Sequence, residues 1–268
     1  MRDARQDQAT GLRRLFAKQG LSTLSVAGAG GAGTTAVSLN LAVALARLGH
    51  RVLLLDRTKG EAPTALGLKA RYELAHVLDG DKPLAEVLLA APEGICVLPA
   101  ARGLDCIVER GASWRDTLQS LLTTPAQSFD VWLVNGLPPA ALGGEASYPE
   151  VLLVIAPTAE AITGAYAQIK ALSREHGRRD FRIVVNRAKS ESAALSTFTS
   201  VAETARRYLS ARLDYCGYLP GDEAPVTSAR RPRVALADTH SPRGHAFARL
   251  AEAVAGGPLR CSLAGVGV

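Results

Sequence analysis

Thr23-Leu24-Ser25-Val26-Ala27-Gly28-Ala29-Gly30-Gly31-Ala32-Gly33-Thr34-Thr35 is the most informative run in this chain of 268 residues. Residues 23–27 read as a strand, the glycines of 28–33 as a loop and residues 35–48 as a helix. A second strand over 51–56 follows at once. Strand, glycine turn, helix and strand in that order open an α/β sheet protein, with the loop at the carboxyl end of a strand. Small residues there let backbone amides converge on an anion, and the following helix adds the positive end of its dipole. The plainer reading of the same residues is a tight strand-to-helix turn. A phosphate loop also carries a lysine just before its final Thr or Ser, and here that place is Thr34. Without that cation, binding rests on amides and transition-state charge is poorly stabilised, so the loop shape is expected and hydrolysis is not.

Past this opening the alternation continues. Strands are expected over 95–98, 129–134, 151–155, 182–185 and 213–218, and helices over 72–78, 84–89, 114–122, 159–173, 193–209 and 243–255. The runs at 129–134 and 151–155 are almost unbroken in apolar residues, as strands buried on both faces are. The expected fold is therefore α/β, a mostly parallel doubly wound sheet of about seven strands spanning residues 21–255. An amphipathic helix occupies 1–20, with Ala9, Leu12, Leu15 and Phe16 at helical spacing, and a glycine-rich tail occupies 256–268.

Composition narrows the function classes. Hydrophobic types at 47% and charged types at 21% allow a sizeable core and exclude general disorder. Lys plus Arg is 31 against 25 for Asp plus Glu, and the resulting +6 is dispersed. The basic pairs Arg178-Arg179 and Arg230-Arg231-Pro232-Arg233 read as solvated loops, and 5% aromatics give little for base stacking, so nucleic acid is not expected as a partner. Cys96, Cys106, Cys216 and Cys261 and the five histidines show no ligand spacing, so no metal site or disulfide framework is expected. The polar start does not resemble a signal peptide, and no apolar run approaches about 18 residues. A reducing, cytoplasmic setting follows as the expectation.

These motifs together resemble the MinD/ParA class of deviant P-loop ATPases (SIMIBI class), and within it the FlhG (FleN) group of flagellar number and placement regulators. The family loop KGGxGK[ST] is matched by Ala29-Gly30-Gly31-Ala32-Gly33-Thr34-Thr35, so both of its lysines are absent. The resemblance implies that the first lysine would cross an ATP-sandwiched dimer and the second would hold phosphate. The family's DxD is matched by Asp56-Arg57-Thr58, which keeps the first carboxylate and replaces the water-activating one by Thr58. The strand that ends DxPP is matched by Val131-Trp132-Leu133-Val134-Asn135-Gly136-Leu137-Pro138-Pro139, where Asn135 replaces the Mg²⁺-linked carboxylate. Four neutral substitutions, at Ala29, Thr34, Thr58 and Asn135, imply a pseudo-ATPase with no catalytic residues and no ATP-sandwich homodimer. If nucleotide binding survives, the resemblance assigns it to Gly30, Gly31, Gly33, Thr34, Thr35, Asp56, Asn186 and Arg187, Asn186 matching the residue that contacts adenine. No cofactor is firmly expected; ATP or ADP with Mg²⁺ would enter only through that residual site. Leu66-Gly67-Leu68-Lys69 and Leu213-Asp214-Tyr215-Cys216-Gly217-Tyr218 also resemble FlhG segments.

The N-terminal run Asp7-Gln8-Ala9-Thr10-Gly11-Leu12-Arg13 resembles the DQAxGLR activator motif of that group. The resemblance implies that this helix docks on the signal-recognition-type GTPase FlhF and stimulates its hydrolysis through Asp7, Gln8, Ala9, Gly11, Leu12 and Arg13. The body would meet further partners, such as a flagellar transcriptional activator or a switch-complex component. Recruitment to the cell pole or inner membrane face would come through the partner, without direct membrane insertion. Two alternatives stand beside this: a weak ATPase that dimerises with ATP and uses Lys59 or Arg57 as substitute cations, and a ParA-like nucleic-acid-associated protein.

Overall fold

The computed structural model describes residues 22–110, 117, 120, 129–137, 150–221 and 238–255. The N-terminal helix with its six activator-type residues, the basic run at 230–233 and the tail at 256–268 lie outside these, as does the 114–122 helix apart from Thr117 and Ser120.

Chain order begins with β1 (Ser22–Gly28), α1 (Thr34–Arg47), β2 (Val52–Asp56), α2 (Glu61–Ala65), α3 (Leu74–Leu78) and α4 (Leu84–Val87). It continues with β3 (Leu89–Ala90), β4 (Cys96–Pro99), α5 (Ala101–Arg110), β5 (Val131–Asn135) and β6 (Glu150–Ile155). The last elements are α6 (Ala159–Glu175), β7 (Asp180–Ala188), α7 (Glu191–Leu209), β8 (Arg212–Pro220) and α8 (Pro242–Ala255). Among the described residues these strands form an eight-stranded sheet in the order β3-β4-β2-β5-β1-β6-β7-β8. Every pairing is parallel except β3 with β4.

That order creates the site. From β1 the chain first runs out to β2 and β4, then returns so that β5 inserts between β2 and β1, and finally crosses to β6. The carboxyl ends of β1, β2 and β5 therefore lie side by side at the point where the winding reverses, which is where open α/β sheets hold ligands. Register brings Asn135 level with Asp56 on one side and with Val26 on the other.

Burial follows from the apolar runs. β2 and β5 are buried at all five positions, and β6 at five of six. α1 is buried at nine consecutive positions from Val37 to Leu45, because it packs on the sheet with one side and against α8 with the other. α8 contributes Ala246, Phe247, Leu250 and Ala251 to the same core. The opposite face is closed by α6 and α7 through Ile169, Leu172, Phe198 and Val201. Both helices start on side-chain caps, Thr158 accepting from the Ala161 amide at 3.3 Å and Ser190 from Ala193 at 3.2 Å.

Three local expectations are corrected. The sheet gains β3, a two-residue antiparallel edge where the helix over 84–89 was expected to end; α4 stops at Val87, and Leu88 is already extended with ψ 127°. The helix expected over 72–78 starts at Leu74, after an extended Glu73. α5 was not anticipated; Leu104 and Ile107 are its fully buried anchors.

Candidate functional site

The loop between β1 and α1 turns on glycines whose backbones side chains rarely tolerate. Gly30 has φ +57° and Gly33 φ +83°. A Cβ on Gly30 would lie 2.7 Å from the Ala161 amide at the start of α6, and one on Gly33 would lie 2.8 Å from Asn186 Nδ2. Both positions thus demand glycine for conformation and for space. The Ala32 amide closes the turn on the Ala29 carbonyl at 3.1 Å, and Gly33 O accepts the first intrahelical bond of α1 from Val37 at 3.0 Å. No side chain caps α1, so its first amides and its dipole face the loop mouth, a shape that suits an anion. Ala29 points instead at α6, where a Cβ on Gly164 would stand 2.5 Å from the Ala29 Cβ. Small residues on both sides let helix and loop touch.

Beneath the loop, Asp56 is fully buried and accepts four hydrogen bonds. Thr58 donates from its hydroxyl at 2.6 Å and its amide at 3.3 Å, Asn135 donates from Nδ2 at 2.9 Å, and the Ala62 amide reaches the second oxygen at 3.3 Å. Burial raises the Asp56 carboxyl above its ordinary range, opposed in turn by Thr58, Asn135 and the two backbone amides. Asn135 is itself fully buried. A carboxylate can only accept, so the Asn135 amide nitrogen must face Asp56; its Oδ1 then faces Ser38, whose hydroxyl lies 3.0 Å away. The same nitrogen sits 3.4 Å from Thr35 Oγ1, which donates to Glu61 at 2.8 Å.

Of the residues singled out from sequence, Thr35, Asp56, Thr58 and Asn135 meet in this one network. Gly30, Gly31 and Gly33 lie in the loop, and Thr34 opens α1 directly after it. Asn186 and Arg187, at the end of β7, reach the loop from its other side: Asn186 Nδ2 donates to Ala32 O at 2.7 Å and Arg187 Nη1 to Gly31 O at 3.0 Å. Arg57 does not turn toward the loop. Its guanidinium donates to Leu137 O at 2.6 Å and pairs with Asp105 at 3.0 Å, tying the turn after β2 to that after β5. Lys59 is exposed. Ser38, Glu61 and Arg243 were missed from sequence, since a helix-interior Ser, a carboxylate in a short helix and a helix-start Arg give no local signal of their partners.

The donor set decides which parts of a Mg-nucleotide fit. The loop has the curl and open amides that a phosphate needs. The position beside Asp56 and Thr35 presents an N–H₂ group to its neighbours, and its single Asn oxygen is turned to Ser38. A hard divalent cation needs converging anionic or carbonyl oxygens, so these residues do not fit Mg²⁺. Among the described residues, no group of three or more His, Cys, Asp or Glu is placed to hold a metal ion, and no helix is long and apolar enough to cross a membrane.

Comparison with known proteins agrees with this architecture. The CobQ/CobB/MinD/ParA nucleotide binding domain matches residues 23–231. The antiactivator FleN of Pseudomonas aeruginosa is 35% identical over 238 residues, covering 87% of this chain and 85% of that protein. An uncharacterised ATP-binding protein of Methanocaldococcus jannaschii is 31% identical over 176 residues, 63% of this chain and 64% of the other. The MinC:MinD cell division protein complex of Aquifex aeolicus has a chain that superposes with a TM-score of 0.65 at 24% identity, covering 90% of this chain and 98% of that one, a likeness of fold. With its reversed winding, glycine loop and strand-end Asp56 in the family's order, the chain belongs to the MinD/ParA-type P-loop proteins of the CobQ/CobB/MinD/ParA nucleotide-binding family.

Proposed function

We propose that this chain is a flagellar regulator of the FlhG (FleN) type that acts by protein contact and does not turn over ATP. The observation that carries this reading is the buried Asp56–Asn135 pair. The buried carboxylate beside the loop, Asp56, is satisfied by four donors from the protein itself, and Glu61 is engaged by Thr35. Phosphoryl transfer rests on positioning and on stabilising charge through cations. Here both loop lysine positions are Ala29 and Thr34, and the metal-side position is an amide. The α/β body at 21–255 then serves as a scaffold that carries the 1–20 segment, in which the DQAxGLR-like run meets a FlhF-type GTPase. The FleN relative, named an antiactivator, supports a regulatory role for the body as well.

The test is a GTPase assay of a FlhF-type protein with the full chain and with residues 1–20 removed, with and without ATP. Stimulation should need the segment, above all Gln8 and Arg13, and should ignore ATP. Equal stimulation by the truncated chain would reject the segment as activator.

A second reading keeps nucleotide in the cycle, as a weak MinD-like ATPase that pairs with a second copy when ATP is bound. The intact loop geometry favours it, and so does likeness to a protein named as ATP-binding. A shift from monomer to dimer on adding ATP, measured by light scattering, would select it over the first.

A further inference from the structure

The glycine loop is gripped from outside by side chains that belong to the far half of the fold. Asn186 is 1% exposed, and both ends of its amide are engaged. Its nitrogen donates to Ala32 O, and its oxygen accepts from Arg243 Nη2 at 3.3 Å. Arg243 lies in the first turn of α8, also donates to Pro220 O at the end of β8, and stacks its guanidinium 5.5 Å from the centre of the Phe247 ring. Next to Asn186, Arg187 takes a left-handed backbone with φ 60°, and the β7–β8 pairing shifts register between Asn186 and Ala188. That conformation is costly for a side-chain-bearing residue and persists where surroundings fix it. Its result here is to aim the Arg187 guanidinium at Gly31 O.

We infer that Arg243, Asn186 and Arg187 form a latch that holds the glycine loop curled without a ligand and ties its shape to the position of α8. The Gly31 and Ala32 carbonyls of the loop are both taken by the latch. Asn186 is consequently a tie within the protein, joining the Ala32 carbonyl to Arg243. α8 packs on α1, which begins at the loop, and on β8, so a shift of α8 bears on the loop through Arg243 as well as through α1. The idea rests on the contact-driven reading of the site, which it deepens by naming what fixes the loop when no nucleotide is turned over.

The experiment is ¹⁵N relaxation of Gly30, Gly31 and Gly33 in the full chain without nucleotide. The native loop should show order parameters of about 0.8 or higher, as for rigid backbone. Arg187→Ala should lower them to about 0.6 or below, the range of flexible segments. Asn186→Asp should do the same, since it keeps a partner for Arg243 and loses the donor to Ala32 O. Arg243→Ala should loosen the loop although it sits on another element. Arg187→Gly separates latching from general damage: relieving the left-handed backbone should raise the melting temperature while the loop becomes more mobile. A loop that stays rigid in all four variants would overturn the latch. That result would leave the GTPase test untouched, because the GTPase test reads residues 1–20 and this one reads the loop.

Discussion

Replacing Asn135 by Asp, the carboxylate the family resemblance would place there, should destabilise the protein in a strongly pH-dependent way. In the native site Asn135 Nδ2 donates to Asp56 Oδ1 at 2.9 Å, and both residues are fully buried. The substitution removes that donor and sets two carboxylates against each other at about 4 Å between charge centres, worth about 4 kcal/mol of repulsion at an effective dielectric constant near 20. The pair can escape by keeping one proton. Its shared carboxyl then has a folded value raised above the unfolded one, so the loss of stability is small below the unfolded value and grows as pH rises through the folded one. Urea unfolding should therefore show a loss of about 4 kcal/mol near pH 8 and of about 1 kcal/mol near pH 5, with the native protein measured alongside. Millimolar Mg²⁺ should recover part of the loss near pH 8 in the variant, because two carboxylates and Thr35 now offer oxygens, and should leave the native protein unchanged. A variant as stable as the native protein near pH 8 in the presence of chelator would refute the reasoning, since it would mean the two side chains do not face each other in a dry site.

The remaining expectations concern the loop and the buried acid. Gly33→Ala forces a left-handed alanine, at φ +83°, whose Cβ would stand 2.8 Å from Asn186 Nδ2; the penalty of about 1–2 kcal/mol for the conformation alone should appear as a lower urea midpoint. Asp56 should titrate by carbon-detected NMR above its ordinary 3.8, because burial outweighs the bonds from Thr58, Asn135 and Ala62. A raised folded value means its contribution to stability is fully present below the unfolded value and is lost as pH rises through the folded one. Asp56→Asn should accordingly flatten the stability profile as pH rises above the ordinary carboxyl range, and an unchanged slope would count against a raised Asp56.

Much of the architecture is legible in the amino-acid order, and the reasons it fails elsewhere are physical. β1, the loop and α1 announce themselves because the hydrophobic period changes from two to 3.6 across a run of glycines. β5 and β6 stand out as apolar runs because parallel strands are covered on both faces. α2, with five residues and Pro63 among them, is too short to display a helical period. β3 exists only because Leu89 and Ala90 happen to lie beside Val97 and Cys96. At the site, Asp56, Thr58 and Asn135 could be found from their places at strand ends, since strand order then brings them together. The grip of Asn186 on Ala32 spans 154 residues and arises from the packing of β7 beside the loop, which no local pattern encodes. The pairing of Arg57 was hidden for the same reason: Asp105 sits on α5, an element that was not anticipated.

The central claim is that the space beside Asp56 is closed by neutral hydrogen-bonding groups and offers nothing to a divalent cation. Calorimetric titration of the full chain with ATP, once in Mg²⁺ and once in chelator, measures this directly. The two titrations should superimpose within error, however weak or strong the binding. Mg²⁺ that tightens ATP by about tenfold or more, about 1.4 kcal/mol, with the gain abolished in Asp56→Ala, would show that the acid still serves a metal and that the site is live.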